Sequence, residues 1–229
     1  MTAWLSDTVR LYGRIFAKAA ALTRANWPLA FVAPAYAVGL AVAGTLLAPL
    51  GIVGGLLAYL LSTACVSSWL ALAEQVIRWN RTRLSDLPAT FGTYFSDLLT
   101  FFFMLWLLRY AAALSPSPLL SLLITLGILT FFNAVPELIY LGRRGGAELL
   151  AESYRFIVEN WIEWFPPNAL LLVLLGMVTR LPGDPFGLLK ATLIGLVLAY
   201  ATIARGLLFL ELTTSSRRAR EFRRRAAGG

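Results

Sequence analysis

The sequence has no histidine and a single cysteine, Cys65. Without histidine the usual general base, the commonest metal ligand and the physiological pH switch are all missing. A lone thiol closes no internal disulfide, and no cysteine–histidine metal spacing exists. Charge is scarce as well: 14% of the 229 residues are Asp, Glu, Lys or Arg, against roughly 25% in a soluble domain. Hydrophobic residues make up 59% and mean hydropathy is +0.72. That balance excludes a soluble globular domain, a disordered chain and a fibre. Acids are the scarcer charge, 12 against 20 Lys and Arg, for a net charge of +8. An excess of base fits nucleic acid or an anionic membrane surface, and the placement of the charges decides between them.

Long uncharged runs dominate what is present. From Ala25 to Ala73 no side chain is charged, a stretch more than twice the ~20 residues that one bilayer crossing needs. Pro49-Leu50-Gly51 breaks it into spans at 28–48 and 52–77. A second block gives spans at 97–114 and 118–141, parted by Ser115-Pro116-Ser117-Pro118. A third gives 162–181 and 186–212, parted by Pro182-Gly183-Asp184-Pro185. Residues 1–212 therefore read as one six-span membrane domain and 213–229 as a basic cytoplasmic tail. The N-terminus lacks a basic segment followed by an apolar core, so no cleaved signal peptide is expected.

The cations sort to one side of these spans. Arg10, Arg14, Lys18, Arg24, Arg78, Arg81, Arg83, Arg143, Arg144, Arg155 and the tail arginines share it, while Arg109, Arg180 and Lys190 fall on the other. The positive-inside rule then places both termini in the cytoplasm. The same sorting removes nucleic acid as a partner and assigns the basic charge to anionic lipid headgroups. Arg143, Arg144, Arg217 and Arg218 are the headgroup candidates.

The three hairpins share a plan. Glu74 is followed by Arg81, Glu137 by Arg144 and Glu211 by Arg218, each seven residues on, a spacing that shares one helix face. Asn26-Trp27 with Phe31 returns as Asn160-Trp161 with Phe165 at an offset of 134. A pseudo-repeat of three hairpins follows, with chance recurrence of interfacial Trp and Asn as its alternative. Residues 4–24 form an amphipathic helix: Trp4, Leu5, Val9, Leu11, Tyr12, Ile15, Phe16 and Leu22 on one side, Arg10, Arg14 and Lys18 on the other. It reads as an interfacial helix on the cytoplasmic leaflet. In the equivalent segment, about 147–161, Glu148 and Glu152 stand where Arg14 and Lys18 do, and Arg155, Glu159 and Glu163 continue the stripe. Two readings stand. The acidic stripe meets the Arg10–Lys18 helix or a basic partner, or it is a solvated face paired internally through Arg155.

Candidate chemistry is thin. No Walker-type or dinucleotide-binding glycine loop is present, and no paired carboxylates face the outer side. An enzyme is not expected, nor a cofactor or metal. Arg205 lies two turns inside the last span and needs an anion, for which Glu74 or Glu137 is at hand; Glu211, and Asn133 one turn before Glu137, complete the cluster. This intramembrane cluster is either a structural clasp, the favoured reading, or the lining of an ion path. Pro34 and Pro136 predict kinks within spans.

Three segments carry a resemblance: Leu22-Thr-Arg-Ala-Asn-Trp-Pro, Arg83-Leu-Ser-Asp-Leu-Pro-Ala-Thr-Phe and Ala151-Glu-Ser-Tyr-Arg-Phe-Ile-Val-Glu-Asn-Trp. They resemble bacterial six-span proteins related to the membrane domain attached to some glycerophosphodiester phosphodiesterases. The resemblance implies a compact six-helix bundle in a bacterial inner membrane. No catalytic domain is attached, so it implies no phosphodiesterase activity. The expectation is an all-α, polytopic six-span bundle acting as a non-catalytic membrane subunit or scaffold, with lipids and another membrane protein, or a second copy, as partners. A small transporter or channel is the alternative.

Overall fold

The structure is a computed structural model that describes residues 2–114, 117–146, 148–182 and 187–214, with side chains from residue 8 onward. The tail with Arg217 and Arg218 lies outside the described residues, as do Ser115, Pro116 and the turn at 183–186. Among the described residues every regular element is helical. In order they are α1 (Thr2–Ala25), α2 (Leu29–Leu47), α3 (Gly51–Trp79), α4 (Leu87–Thr90), α5 (Phe95–Ala113), α6 (Pro118–Phe131), α7 (Val135–Tyr140), α8 (Glu148–Thr179) and α9 (Gly187–Thr214). Among the described residues five stretches are long and apolar enough to cross a membrane: Leu29–Trp79, Phe95–Ala113, Pro118–Tyr140, Glu148–Thr179 and Gly187–Thr214. The first is broken by a single 3₁₀ turn at Ala48–Leu50. Gly51 ends that turn with φ +57°, a conformation open to glycine. At Gly54 a Cβ would run into the carbonyl of Leu47, so glycine also permits the tight return of α3.

By contact the chain divides into two compact units. One gathers Met1–Val38, Leu72–Arg83 and Glu159–Gly229; the other gathers Gly39–Ala71 and Leu84–Val158.

In the first unit α1 packs along α9. Leu11, Ile15, Ala19 and Leu22, spaced to share one helix face, are buried, while Arg10, Arg14, Lys18 and Arg24 stay exposed. The helix expected to lie on the leaflet thus has its apolar face covered by protein. Phe16 stacks on Tyr200 of α9 at 6.2 Å. Val9, expected on the apolar face, is 62% exposed.

Proline explains two contacts here. A helical N–H donates to the carbonyl four residues back, and proline has none to give. Pro167, inside α8, therefore leaves the Glu163 carbonyl without its usual donor. The Tyr12 hydroxyl of α1 donates to that carbonyl at 3.0 Å. Pro34 in α2 does the same to the Ala30 carbonyl. The backbone of α9 comes so close to that carbonyl that a Cβ at Gly195 would run into it.

The second unit packs α5 against α6. The Ser117 hydroxyl caps α6, accepting from Leu120 N at 3.4 Å, with Pro118 at the first helical position. The expected span 118–141 is interrupted between Phe131 and Val135. There Val135 N turns to the Phe132 carbonyl, 3.2 Å away, just before Pro136. In a continuous helix that N–H would serve Phe131; instead the Ser153 hydroxyl of α8 donates to the Phe131 carbonyl at 2.6 Å. The segment after α3 folds back onto it. Ser67 donates to the Thr90 carbonyl at 3.3 Å and accepts from Tyr94 N at 2.9 Å, and Ser68 bonds the Thr90 hydroxyl.

One boundary differs from expectation. The interfacial segment near 147–161 and the span from 162 are a single helix, α8, 32 residues long. Nothing at Trp161-Ile162 breaks it, because neither glycine nor proline stands there.

Candidate functional site: buried charges and a basic face

Asn26, at the joint between α1 and α2, is buried and fully engaged. Its amide donates to the Leu22 carbonyl at 2.9 Å and to the Asn80 carbonyl at 3.1 Å, and its oxygen accepts from Thr82 N at 2.8 Å. It thereby grips the exit of α3, where Asn80 takes a left-handed φ of 59°, a conformation asparagine tolerates better than most residues. Gln75 adds a bond from Arg83 N at 3.1 Å. Asn160, its counterpart at the 134 offset, is buried too.

Among the cluster expected near the cytoplasmic side, Glu74 is 6% exposed and pairs with Arg78 at 2.7 Å, one turn along α3. That pair offsets the unfavourable placing of an acid near a helix C-terminus. Arg205 sits with its guanidinium over the Trp164 ring, 5.1 Å from the centroid, a cation–π arrangement the sequence did not reveal. Glu211 is half-buried. In the other unit Glu137 is 2% exposed and Asn133 half-buried. The seven-residue spacing does not hold Glu74 with Arg81 or Glu137 with Arg144 on one face. Helix α3 stops at Trp79 and α7 at Tyr140, each before the arginine.

Around Arg205 the first unit encloses a cavity of about 10 Å³, lined by Tyr12, Asn168 and Arg205 among others. That is the room one water occupies. Asn168 donates to the Trp164 carbonyl at 2.6 Å, and its oxygen is buried without a hydrogen-bond partner among the described residues. Burial first, and the Glu163 carboxylate second, push the Tyr12 hydroxyl up to about 12. Tyr12 is thus a neutral donor at physiological pH. Glu163, also buried, and Asn168 were not singled out from the sequence as site residues. Their signal was there in Pro166-Pro167, which frees carbonyls inside a helix.

On the acidic stripe, Glu152 pairs with Arg144 at 3.2 Å, a partner outside both expected readings. Glu148 and Glu159 are exposed. Glu148 sits in the first turn of α8, where its charge suits the helix dipole and disfavours a phosphate at that N-terminus. Arg143, with φ 50°, and Arg144 are exposed beside it. Among the described residues no group of His, Cys, Asp and Glu is arranged to hold a metal.

The aromatic residues add a marker of depth. Trp27 and Trp161 are 61% and 55% exposed at the foot of α2 and within α8, and Trp79 is exposed at the end of α3. Exposed tryptophans next to long apolar helices suit a membrane–water boundary.

Compared with known proteins, the chain matches no family model, no curated protein and no solved structure.

Proposed function

We propose that the chain is a multi-pass membrane subunit or scaffold without catalysis of its own, crossing a bacterial inner membrane six times with both termini in the cytoplasm. We count the 51-residue stretch Leu29–Trp79 as two crossings, a reading supported by its length, more than twice the ~20 residues of one crossing, and by the 3₁₀ turn at Ala48–Leu50. The observation that carries the reading is the division of α1. Its apolar face is buried against the chain's own helices, and its stripe of Arg10, Arg14 and Lys18 faces outward. A cationic face held rigidly at the cytoplasmic side is suited to anionic headgroups and to an acidic surface on another membrane protein.

Extraction in a gentle detergent, followed by identification of everything that co-purifies, tests this. A stoichiometric membrane partner that is lost when Arg10, Arg14 and Lys18 are all changed to Glu is expected. Retention of every partner by that variant contradicts the reading.

The burial of Glu74 and Glu137 favours a second reading, a small transporter or channel, since ionisable groups within spans often serve a path. It requires flux in liposomes that Glu137→Gln abolishes, and the subunit reading requires none.

A further inference from the structure

Between the first half of α3 and α5 lies a lateral groove of about 690 Å³, lined by Leu56, Tyr59 and Leu60 on one side and Leu99, Phe103 and Trp106 on the other. It falls within the size range of small-molecule sites. Its walls are almost wholly apolar. The one hydroxyl besides that of Tyr59, on Thr100, is turned back to the Ser96 carbonyl at 2.9 Å and makes no demand on an occupant.

Two features set this groove apart from an ordinary lipid-facing surface. Its rings are ordered against one another: Tyr59 meets Phe102 edge-on at 6.5 Å, and Phe103, Trp106 and Tyr110 stack in series at 6.0 and 5.5 Å. It also has a charged head. Arg109, exposed, follows Trp106 by three residues on α5 and so neighbours it on the helix surface. No carboxylate pairs with it among the described residues. Both walls belong to helices long and apolar enough to cross a membrane, so the groove opens on hydrocarbon.

The geometry points to a phospholipid-binding site: one acyl chain along the groove between α3 and α5, and the phosphate on Arg109 at the Ala113 end of α5. The fit is chemical at both ends. A flexible apolar chain fills an aromatic-lined slot, and the exposed Arg109 guanidinium, three residues beyond Trp106, meets an anionic oxygen. The Tyr59 hydroxyl, which has no protein partner among the described residues, is a donor for the ester linkage between them. The site rests on the membrane-spanning reading alone and holds for a subunit or a transporter alike.

The test uses the full chain in vesicles of phosphatidylethanolamine and phosphatidylglycerol containing a phospholipid with a photoactivatable diazirine in its acyl chain. After illumination and digestion, labelling concentrated on residues 56–60 and 99–106 is expected. It should fall at least tenfold in Leu60→Trp, which fills the slot, and several-fold in Arg109→Gln, which leaves the slot open. Native mass spectrometry of the unmodified protein should show one phospholipid retained per chain. Labelling spread evenly over the apolar faces of α6 and α8, or unchanged in Leu60→Trp, overturns the site. So do cross-links joining the Trp106 segments of two copies, which would make the occupant a second chain. A protein found in the aqueous fraction overturns both this site and the membrane reading, whereas even labelling of a detergent-dependent protein overturns the site alone.

Discussion

Tyr12 shows how a single hydroxyl is assigned its task by a residue elsewhere. Pro167 withholds an N–H, and Tyr12, far away in sequence, supplies an O–H to the same carbonyl. Tyr12→Phe removes the donor and should lower stability by about 1 kcal/mol, read as a drop in melting temperature in detergent. The pH dependence has a definite sign. The tyrosine's folded value, about 12, lies above its usual ~10, so the unfolded chain loses that proton first. The contribution of Tyr12 is complete below pH ~10 and is lost as pH rises through about 12. The gap between wild type and Tyr12→Phe should be flat from pH 7 to ~10 and close above it. A gap that widens in alkali contradicts the assignment. Asn26 is the second residue to test. Asn26→Ala leaves Asn80 O and Thr82 N without their partner, and should cost about 2 kcal/mol by thermal melting. Little of this was legible in the sequence. Asn26 stood out in a recurring pair, and Asn26 and Thr90 fall in segments that carry the resemblance, but neither these nor Ser67 and Ser68 announced their bonds. Their roles depend on partners more than twenty positions away, which no local pattern encodes.

At the scale of elements the sequence was far more informative, because a bilayer leaves few choices. Uncharged length set the positions of α2, α3, α5 and α9, and proline and glycine set the turns between them. Where it misled, the cause is specific. The break between α6 and α7 was foreseen only as a kink at Pro136, and the join within α8 was drawn where polarity changes and not where the backbone does. Amphipathicity in α1 was real, but a helical wheel cannot say whether lipid or protein covers its apolar face. Two elements approach closely at Gly195, against the Ala30 carbonyl that Pro34 leaves free. Gly195→Val must push α9 away from α2 and should cost about 1–3 kcal/mol. The same change at Gly127, where a side chain would meet nothing within 4 Å, should cost far less. Equal melting temperatures for the two variants contradict the close packing.

For the whole molecule, what organises the chain is the contrast between thin charge and long apolar helices. Exposed leucines and valines cover α6, the first half of α3, the second half of α8 and the start of α9, a surface that water would not tolerate and hydrocarbon requires. Arg24, Arg78, Arg81, Arg83, Arg143 and Arg144 lie at the ends of helices or in the segments that join them. The most direct test is substituted-cysteine labelling with a membrane-impermeant reagent on a Cys65→Ala background, since Cys65 is the single, buried thiol. Cysteines placed at residues 10, 81, 144 and 218 should all react from the cytoplasmic side, and cysteines at 49, 117 and 183 should all react from the opposite side. Two termini that label from different sides, or a chain that alkaline carbonate releases from the membrane, would contradict the account.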